Sequence, residues 1–363
     1  MSTRLKFNNT TKSQFMATTR ARVDQYFKDE GISPNANGLM WGKTAIFLGG
    51  FFALYGLVIS GLFSPWAMLP LVILLGMFKA FVGFNICHDA IHGSFSSKNY
   101  INTIFSYVFH LLGASPYVWT ITHNAVHHTY TNIPGHDEDI DVAPGLIRIS
   151  EEDPVNSIQR YQHWYAFPLY SLASLSWAFR KDYKKFFQDK VGQVSVKHPK
   201  IEYFNLFFYK AVYYFLFIML PLLVLDITGW QFVAGFLIMH MAQGLTMGLV
   251  FQLAHVVEGT DYPVPNDNGN IEEAWAEHQM RTTANFASDC KFSAFFLGGL
   301  NRQIEHHLFP KVCHIHYAKI GEIVKLTAHE FDIPYIQSRT FLCAMKSHIR
   351  VLKKFGYEAR MSA

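Results

Sequence analysis

Four apolar runs organise the chain, at residues 44–63, 66–87, 204–225 and 230–252. Each reaches the roughly 20 residues that a helix rising 1.5 Å per residue needs to cross a bilayer. Lys79 and Lys210 interrupt two of them, and a lysine inside a span must snorkel to the interface or face protein. Two further apolar segments, residues 101–113 and 164–178, are too short to span, and Pro168 is expected to break the second. Both read as interfacial or re-entrant helices. Nearer the N-terminus, Ser13 caps a predicted helix ending near Glu30, with Gly31 as its stop. Its apolar face comprises Phe15, Val23, Tyr26 and Phe27. Such a helix lies on the membrane or packs on the cytosolic side of the protein.

The connections predict a topology. Gly61 to Pro65 carries no charge, and Asp226 to Gly229 carries no Lys or Arg. Nearly all cations therefore fall in the N-terminal, central and C-terminal segments, which the positive-inside rule assigns to the cytoplasm. The expected fold is an all-α integral membrane protein with four transmembrane helices in two hairpins and a cytosolic helical cap carrying histidine clusters. Residues 1–43 form a cytosolic segment with an interfacial helix, residues 44–325 the membrane domain, and residues 326–363 a cytosolic tail. The first 44 residues lack a short apolar core with a cleavage site, so no signal peptide is expected.

Composition agrees with a membrane protein. Half of the 363 residues are hydrophobic, 16% are charged, and the net charge of +4 is too mild to imply nucleic acid as a partner. None of the four cysteines, Cys87, Cys290, Cys313 and Cys343, forms a Cys-x-x-Cys pair, which fits reduced thiols. Cys87 reads as a small apolar filler. Arg180, Lys181, Lys184, Lys185 and Lys190 form a basic run. It reads as a headgroup-facing surface, with a grip on a substrate phosphate as the alternative.

Chemistry enters with three histidine clusters flanking the apolar runs: His88-Asp-Ala-Ile-His92, His123-Asn-Ala-Val-His127-His128 and Gln303-Ile-Glu-His306-His307. At this histidine content His-x-x-x-His arises by chance roughly once, and His-x-x-x-His-His only about 0.04 times. On a helix, positions i and i+4 share a face, so each cluster can aim imidazoles at one centre. His128 points toward a neighbouring direction. His255, just beyond the fourth run, can reach the same place. So many imidazoles overfill one zinc, and exceed the usual copper set, but suit two irons. A redox metal centre beside a bilayer points to oxidation of a lipid carbon–hydrogen bond.

On these motifs, the paired spans and the order of the parts, residues 40–325 resemble the membrane-bound fatty acid desaturases. The resemblance implies a di-iron centre, dioxygen as co-substrate, a fatty acyl substrate, and two electrons from a separate donor. That donor would be a ferredoxin or a cytochrome b-type protein with its reductase. It also implies that His88, His92, His123, His127, His128, His306 and His307 bind iron, with His255 matching an extra histidine between the second and third boxes. Gln303 departs from the histidine that most members carry. It resembles the front-end branch, which inserts a cis double bond between an existing one and the carboxyl end. Its carbonyl oxygen can bind metal directly or through water, and a surface glutamine is the plain alternative. Many front-end enzymes carry a fused haem domain with His-Pro-Gly-Gly, whereas here Lys200 follows His198-Pro199.

Around the ligands, Asp89, Asn124, Asp137, Asp139 and Glu305 can orient imidazoles through their outer nitrogens. For the acidic stretch after the second cluster, which includes Glu138 and Asp141, a solvated turn is an equal reading, as is an exposed helix face for Glu305. The segment Trp275 to Phe286, with Gln279, Thr282, Thr283 and Asn285, resembles a family segment preceding the third box; His278 within it reads as a surface residue. His110, His136, His163, His240, His314, His316, His329 and His348 read as structural or solvated. Two rival functions use the same features: a di-iron hydroxylase acting on an alkane, sterol or carotenoid, and a membrane metal transporter. The transporter is disfavoured because its ionisable residues would sit near the bilayer midplane.

Overall fold

The computed structural model describes residues 5–137, 139–140, 143–191 and 194–361. Glu138 and Asp141 lie outside the described residues. Among the described residues, four helices are long and apolar enough to cross a membrane: Gly38–Ile59, Pro65–His92, Lys200–Val224 and Gly229–His255. Their starts follow local chemistry. The Asn37 side chain accepts the Met40 N–H, Pro65 occupies the first turn of the second helix, and Thr228 and Gln231 form a capping box on the fourth. The second and fourth helices outrun their apolar runs by several residues and end on His92 and His255. Beyond the apolar stretch they are buried in protein, so polar side chains continue the helix.

These two helices pack closely. A β-carbon at Gly76 would overlap the Met239 carbonyl, and one at Gly244 of the fourth would overlap the Ser171 carbonyl of a separate helix, Gln162–Ser171. Both lysines within spans face protein. Lys79 is fully buried with its ammonium 3.1 Å from the Tyr213 hydroxyl. Lys210 lies 2.8 Å from Asp182 and donates to the carbonyls of Gly113, Trp177 and Ala178.

The short apolar segments form helices without a span's length. Asn99–Tyr107 covers the first. In the second, Gln162–Ser171 continues through Pro168, correcting the break expected there. The interruption follows at Leu172, after Ser171 Oγ donates to the Pro168 carbonyl at 2.6 Å. The N-terminal helix, Phe15–Asp29, packs on protein. Its Phe15 and Val23 share an apolar cluster with Ile320 and Val324, and Arg22 pairs with Glu330 at 2.7 Å.

Among the described residues, three two-stranded pieces depart from the all-helical expectation: Lys6–Phe7 with Asn270–Ile271, Lys190–Val191 with Val194–Ser195, and Asn285–Phe286 with Gln337–Ser338. The first and third are parallel and join segments far apart in sequence. The C-terminal helix, Phe341–Met361, docks through His348, whose Nδ1–H donates to the Val256 carbonyl at 2.7 Å. All four cysteines are free thiols, with Cys87 and Cys313 buried.

Candidate metal centre

Backbone geometry brings the three clusters together. A π-helical stretch, Gly83–Cys87, turns the second span into His88–His92. A second, Thr120–His127, carries the middle cluster. Hydrogen bonding from i to i+5 makes residues five apart neighbours. His128 is therefore rotated back over His123, with their Nε2 atoms 3.2 Å apart, instead of diverging as α-helical spacing predicts. The third cluster rides on the short helix Gln303–Leu308. Gly298 and Gly299 precede it at φ +58° and +75°. A β-carbon on Gly298 would overlap Phe84, so only glycine lets this loop lie on the first π-helical stretch.

All eight histidines and Gln303 are buried. His88, His92, His123 and His306 form one group, and His127, His255 and His307 a second; within each, the ligating atoms lie within 4.8 Å of one another. His128 stands between them, its ring centroid 4.8 Å from His92, 4.6 Å from His306 and 4.4 Å from His307.

The outer nitrogens of five histidines are tethered. His127 Nδ1 and His123 Nδ1 each lie 2.9 Å from a carboxylate, those of Asp137 and Asp139. His307 Nδ1 lies 2.7 Å from Gln279 Oε1, His306 Nδ1 3.2 Å from the Tyr317 hydroxyl, and His255 Nδ1 3.3 Å from the Thr282 carbonyl. Such bonds fix a ring's tautomer and leave its other nitrogen as a lone-pair donor. Facing inward, His92 Nε2, His255 Nε2, His307 Nε2 and Gln303 Oε1 are buried without a hydrogen-bond partner. Each such atom costs about 1–3 kcal/mol if nothing satisfies it. A buried set of unpartnered acceptors, held from behind, fits a cationic metal. Burial and neighbouring imidazoles hold His123, His128, His306 and His307 well below the ordinary histidine pKa, which keeps them in the neutral, metal-binding form. Burial also opposes protonation of His127, but Asp137 outweighs it and raises that pKa. Burial disfavours ionised Asp139 too, yet Lys181 at 3.1 Å holds it below the usual carboxylate range.

The other anticipated residues take different stations. Asp89 lies 3.7 Å from His88 Nδ1, but its stronger contacts are with His314 Nδ1 at 2.8 Å and the Cys313 thiol at 3.0 Å. Asn124 donates to the Ile91 carbonyl at 3.1 Å, joining the first two clusters through backbone. Glu305 is neither exposed nor beside an imidazole. It accepts from Tyr335 and Asn285 at 2.7 and 2.8 Å, and burial pushes its pKa up to about 7. His278 is fully buried and donates to the Thr131 carbonyl at 2.8 Å, which corrects its reading as a surface residue. Gln303, 2% exposed, is no surface glutamine.

The family model for fatty acid desaturases matches residues 64–339. The chain belongs to the fatty acid desaturase family. It is similar to an acyl-lipid (8-3)-desaturase of Physcomitrium patens, with 35% identity covering 97% of this chain and 74% of that one. An sn-1 linoleoyl-lipid 6-desaturase of Arthrospira platensis is 34% identical over 96% of this chain and 94% of its own. An acyl-lipid (8-3)-desaturase of Mortierella alpina is 32% identical over 94% and 78%. The chain is thus an integral membrane oxidoreductase that desaturates fatty acyl chains.

Several groups around the desaturase centre gave no sequence signal. Tyr317 behind His306, and His314 with Lys43 at 2.8 Å on the far side of Asp89, come from separate segments. By contrast, Gln279 and Thr282 lie in a segment singled out by resemblance. The tether on His127 can be tested. Asp137→Asn keeps the shape but weakens the charge-assisted bond, and product formation is expected to fall about 10- to 100-fold. Turnover and metal content of the purified variant check this; wild-type values for both would refute the tether.

Proposed function

We propose that the two histidine groups hold two irons, with His88, His92, His123 and His306 around one, His127, His255 and His307 around the other, and His128 between them. Gln303 supplies a carbonyl oxygen, directly or through water. The observation carrying this reading is the set of inward atoms His92 Nε2, His255 Nε2, His307 Nε2 and Gln303 Oε1, buried and unpartnered among clustered imidazoles, with His255 and His307 tethered through their outer nitrogens. When bound, the irons supply reduction of dioxygen coupled to oxidation of the acyl chain. Overall, two adjacent CH₂ groups, O₂, two electrons and two protons give a cis alkene and two waters. The electrons come from a separate ferredoxin or cytochrome b-type protein with its reductase.

The protein's own part is to position the chain and keep water out. A narrow crevice lined by Phe109, Leu112, Trp119, Met247 and Phe251 touches His88. Trp119 stacks on His123 at 3.9 Å and 14°, so the crevice wall also fixes a ligand ring. An apolar slot of this kind suits methylene groups brought to the metal.

The same reading makes the product front-end, with the new double bond between an existing one and the carboxyl end. Gln303 in the third box favours it, and so does similarity to a protein named as acting on linoleoyl-lipid at position 6. The spans form two hairpins whose outer turns carry no Lys or Arg, a helical cap on the cytoplasmic side carries the boxes, and both termini lie there. Residues 1–43, 44–325 and 326–363 divide the chain into an N-terminal segment, the catalytic body and a C-terminal segment.

Expression in a host fed defined saturated and unsaturated fatty acids, with products analysed by gas chromatography–mass spectrometry, tests this. The expected product is a new alkene on the carboxyl side of an existing one. Insertion only toward the methyl end would refute front-end chemistry, and hydroxylated products alone would favour the hydroxylase reading.

A further inference from the structure

We propose that the basic cavity beside the second histidine cluster binds a phosphate-bearing head group on the substrate's acyl carrier, from which the acyl chain runs between Trp119 and Trp177 to His88. This rests on the reading above that the crevice against His88 receives the acyl chain.

The cavity has a volume of 460 Å³ and opens between the segment Leu169 to Gln188 and the inner end of the fourth span. Among the described residues, Arg180, Lys181, Lys184 and Lys185 line it together with the carboxylate of Asp139. Lys181 is paired with Asp139 at 3.1 Å. Arg180 and Lys184 are exposed and have no carboxylate partner among the described residues. Arg180 and Lys184 are therefore the cations that the cavity presents to an anionic group.

Continuity with the metal centre separates this cavity from a merely headgroup-facing surface. Trp119, Trp177, Met247 and Phe251 wall both the basic cavity and the crevice that touches His88. The two spaces thus adjoin, and cations, an apolar slot and an imidazole of the first histidine group follow one another in order. An amphiphile with an anionic head and a long apolar chain matches that order of environments. The position of the head would fix which methylenes reach His88, so the same contacts would contribute to regioselectivity. A neutral glycerolipid leaves Arg180 and Lys184 unmatched. A phosphodiester or a coenzyme A thioester engages them through charge-assisted hydrogen bonds.

The test uses the full-length purified protein and three probes sharing one acyl chain: dilinoleoyl phosphatidylglycerol, linoleoyl-coenzyme A and neutral dilinoleoylglycerol. Binding is followed by tryptophan fluorescence, since Trp119 and Trp177 line the path, and turnover is measured in parallel. At least one phosphate-bearing probe should bind about tenfold more tightly than the neutral lipid, and its affinity should fall as salt rises. The double variant Arg180→Gln, Lys184→Gln should weaken that probe about tenfold and raise its KM, with kcat little changed and the neutral lipid unaffected. Stronger binding of phosphatidylglycerol than of the coenzyme A ester identifies a membrane phospholipid as carrier; the reverse identifies the thioester. Equal binding of all three probes, or unchanged binding of both charged probes by the variant, overturns the proposal. Failure to turn over any probe counts against the assignment of the crevice, while the fluorescence titration still decides the head-group site.

Discussion

His128→Ala is expected to reduce product formation by at least about a thousandfold while the protein stays folded. A lost metal ligand removes several kcal/mol of rate-supporting interaction, at about 1.4 kcal/mol per tenfold. His128 is singled out by position. Its ring borders both histidine groups, within 5 Å of His92 and His123 on one side and His307 on the other. The fold has little at stake in the side chain. Its Nδ1 has no hydrogen-bond partner, and the bond that anchors this turn, from Trp275 Nε1 at 3.1 Å, goes to the His128 carbonyl and survives the substitution. The checks are product yield, iron content and elution of the detergent-solubilised variant. Full activity would remove His128 from the ligand set. Lost activity with aggregation would mark its role as structural.

The spans were legible because each apolar run exceeds what a soluble helix needs, and in lipid that signal outweighs local propensity. Their inner ends were not. Gln252 to His255 and His88 to His92 continue as helix where protein replaces lipid around them, and an apolar window cannot see that change of solvent. Spacing found the clusters but gave His128 a divergent direction. The π-helical turn that reverses this arises from backbone bonding that no residue type announces. Long-range tethers were the least legible. Asp89 meets His314 across 225 positions, and His278 reads as polar until Thr131 supplies its partner. Pro168 stays inside the helix Gln162–Ser171, because one missing N–H need not end a helix that packing holds in place.

The second large effect is expected at Asp182. Asp182→Asn should destabilise the protein by about 3–5 kcal/mol, the usual cost of leaving one partner of a buried ion pair uncompensated. Among the described residues, Lys210, 3% exposed, is within hydrogen-bond reach of this carboxylate and three carbonyls. Asp182 also accepts the Ser115 N–H at 2.7 Å, while Ser115 Oγ caps the Pro116–Trp119 turn that leads directly into the second cluster. The pair thus ties the third span to the segment holding His123, His127 and His128. Thermal unfolding in one detergent should show a midpoint lowered by roughly 10 °C. The double variant Asp182→Leu, Lys210→Met should recover much of that loss, since no bare charge remains, yet recover less activity because the Ser115 N–H still lacks its acceptor. An unshifted midpoint for Asp182→Asn would mean that water or lipid reaches Lys210. Equal recovery of stability and activity in the double variant would mean that the Ser115 contact does not position the second cluster.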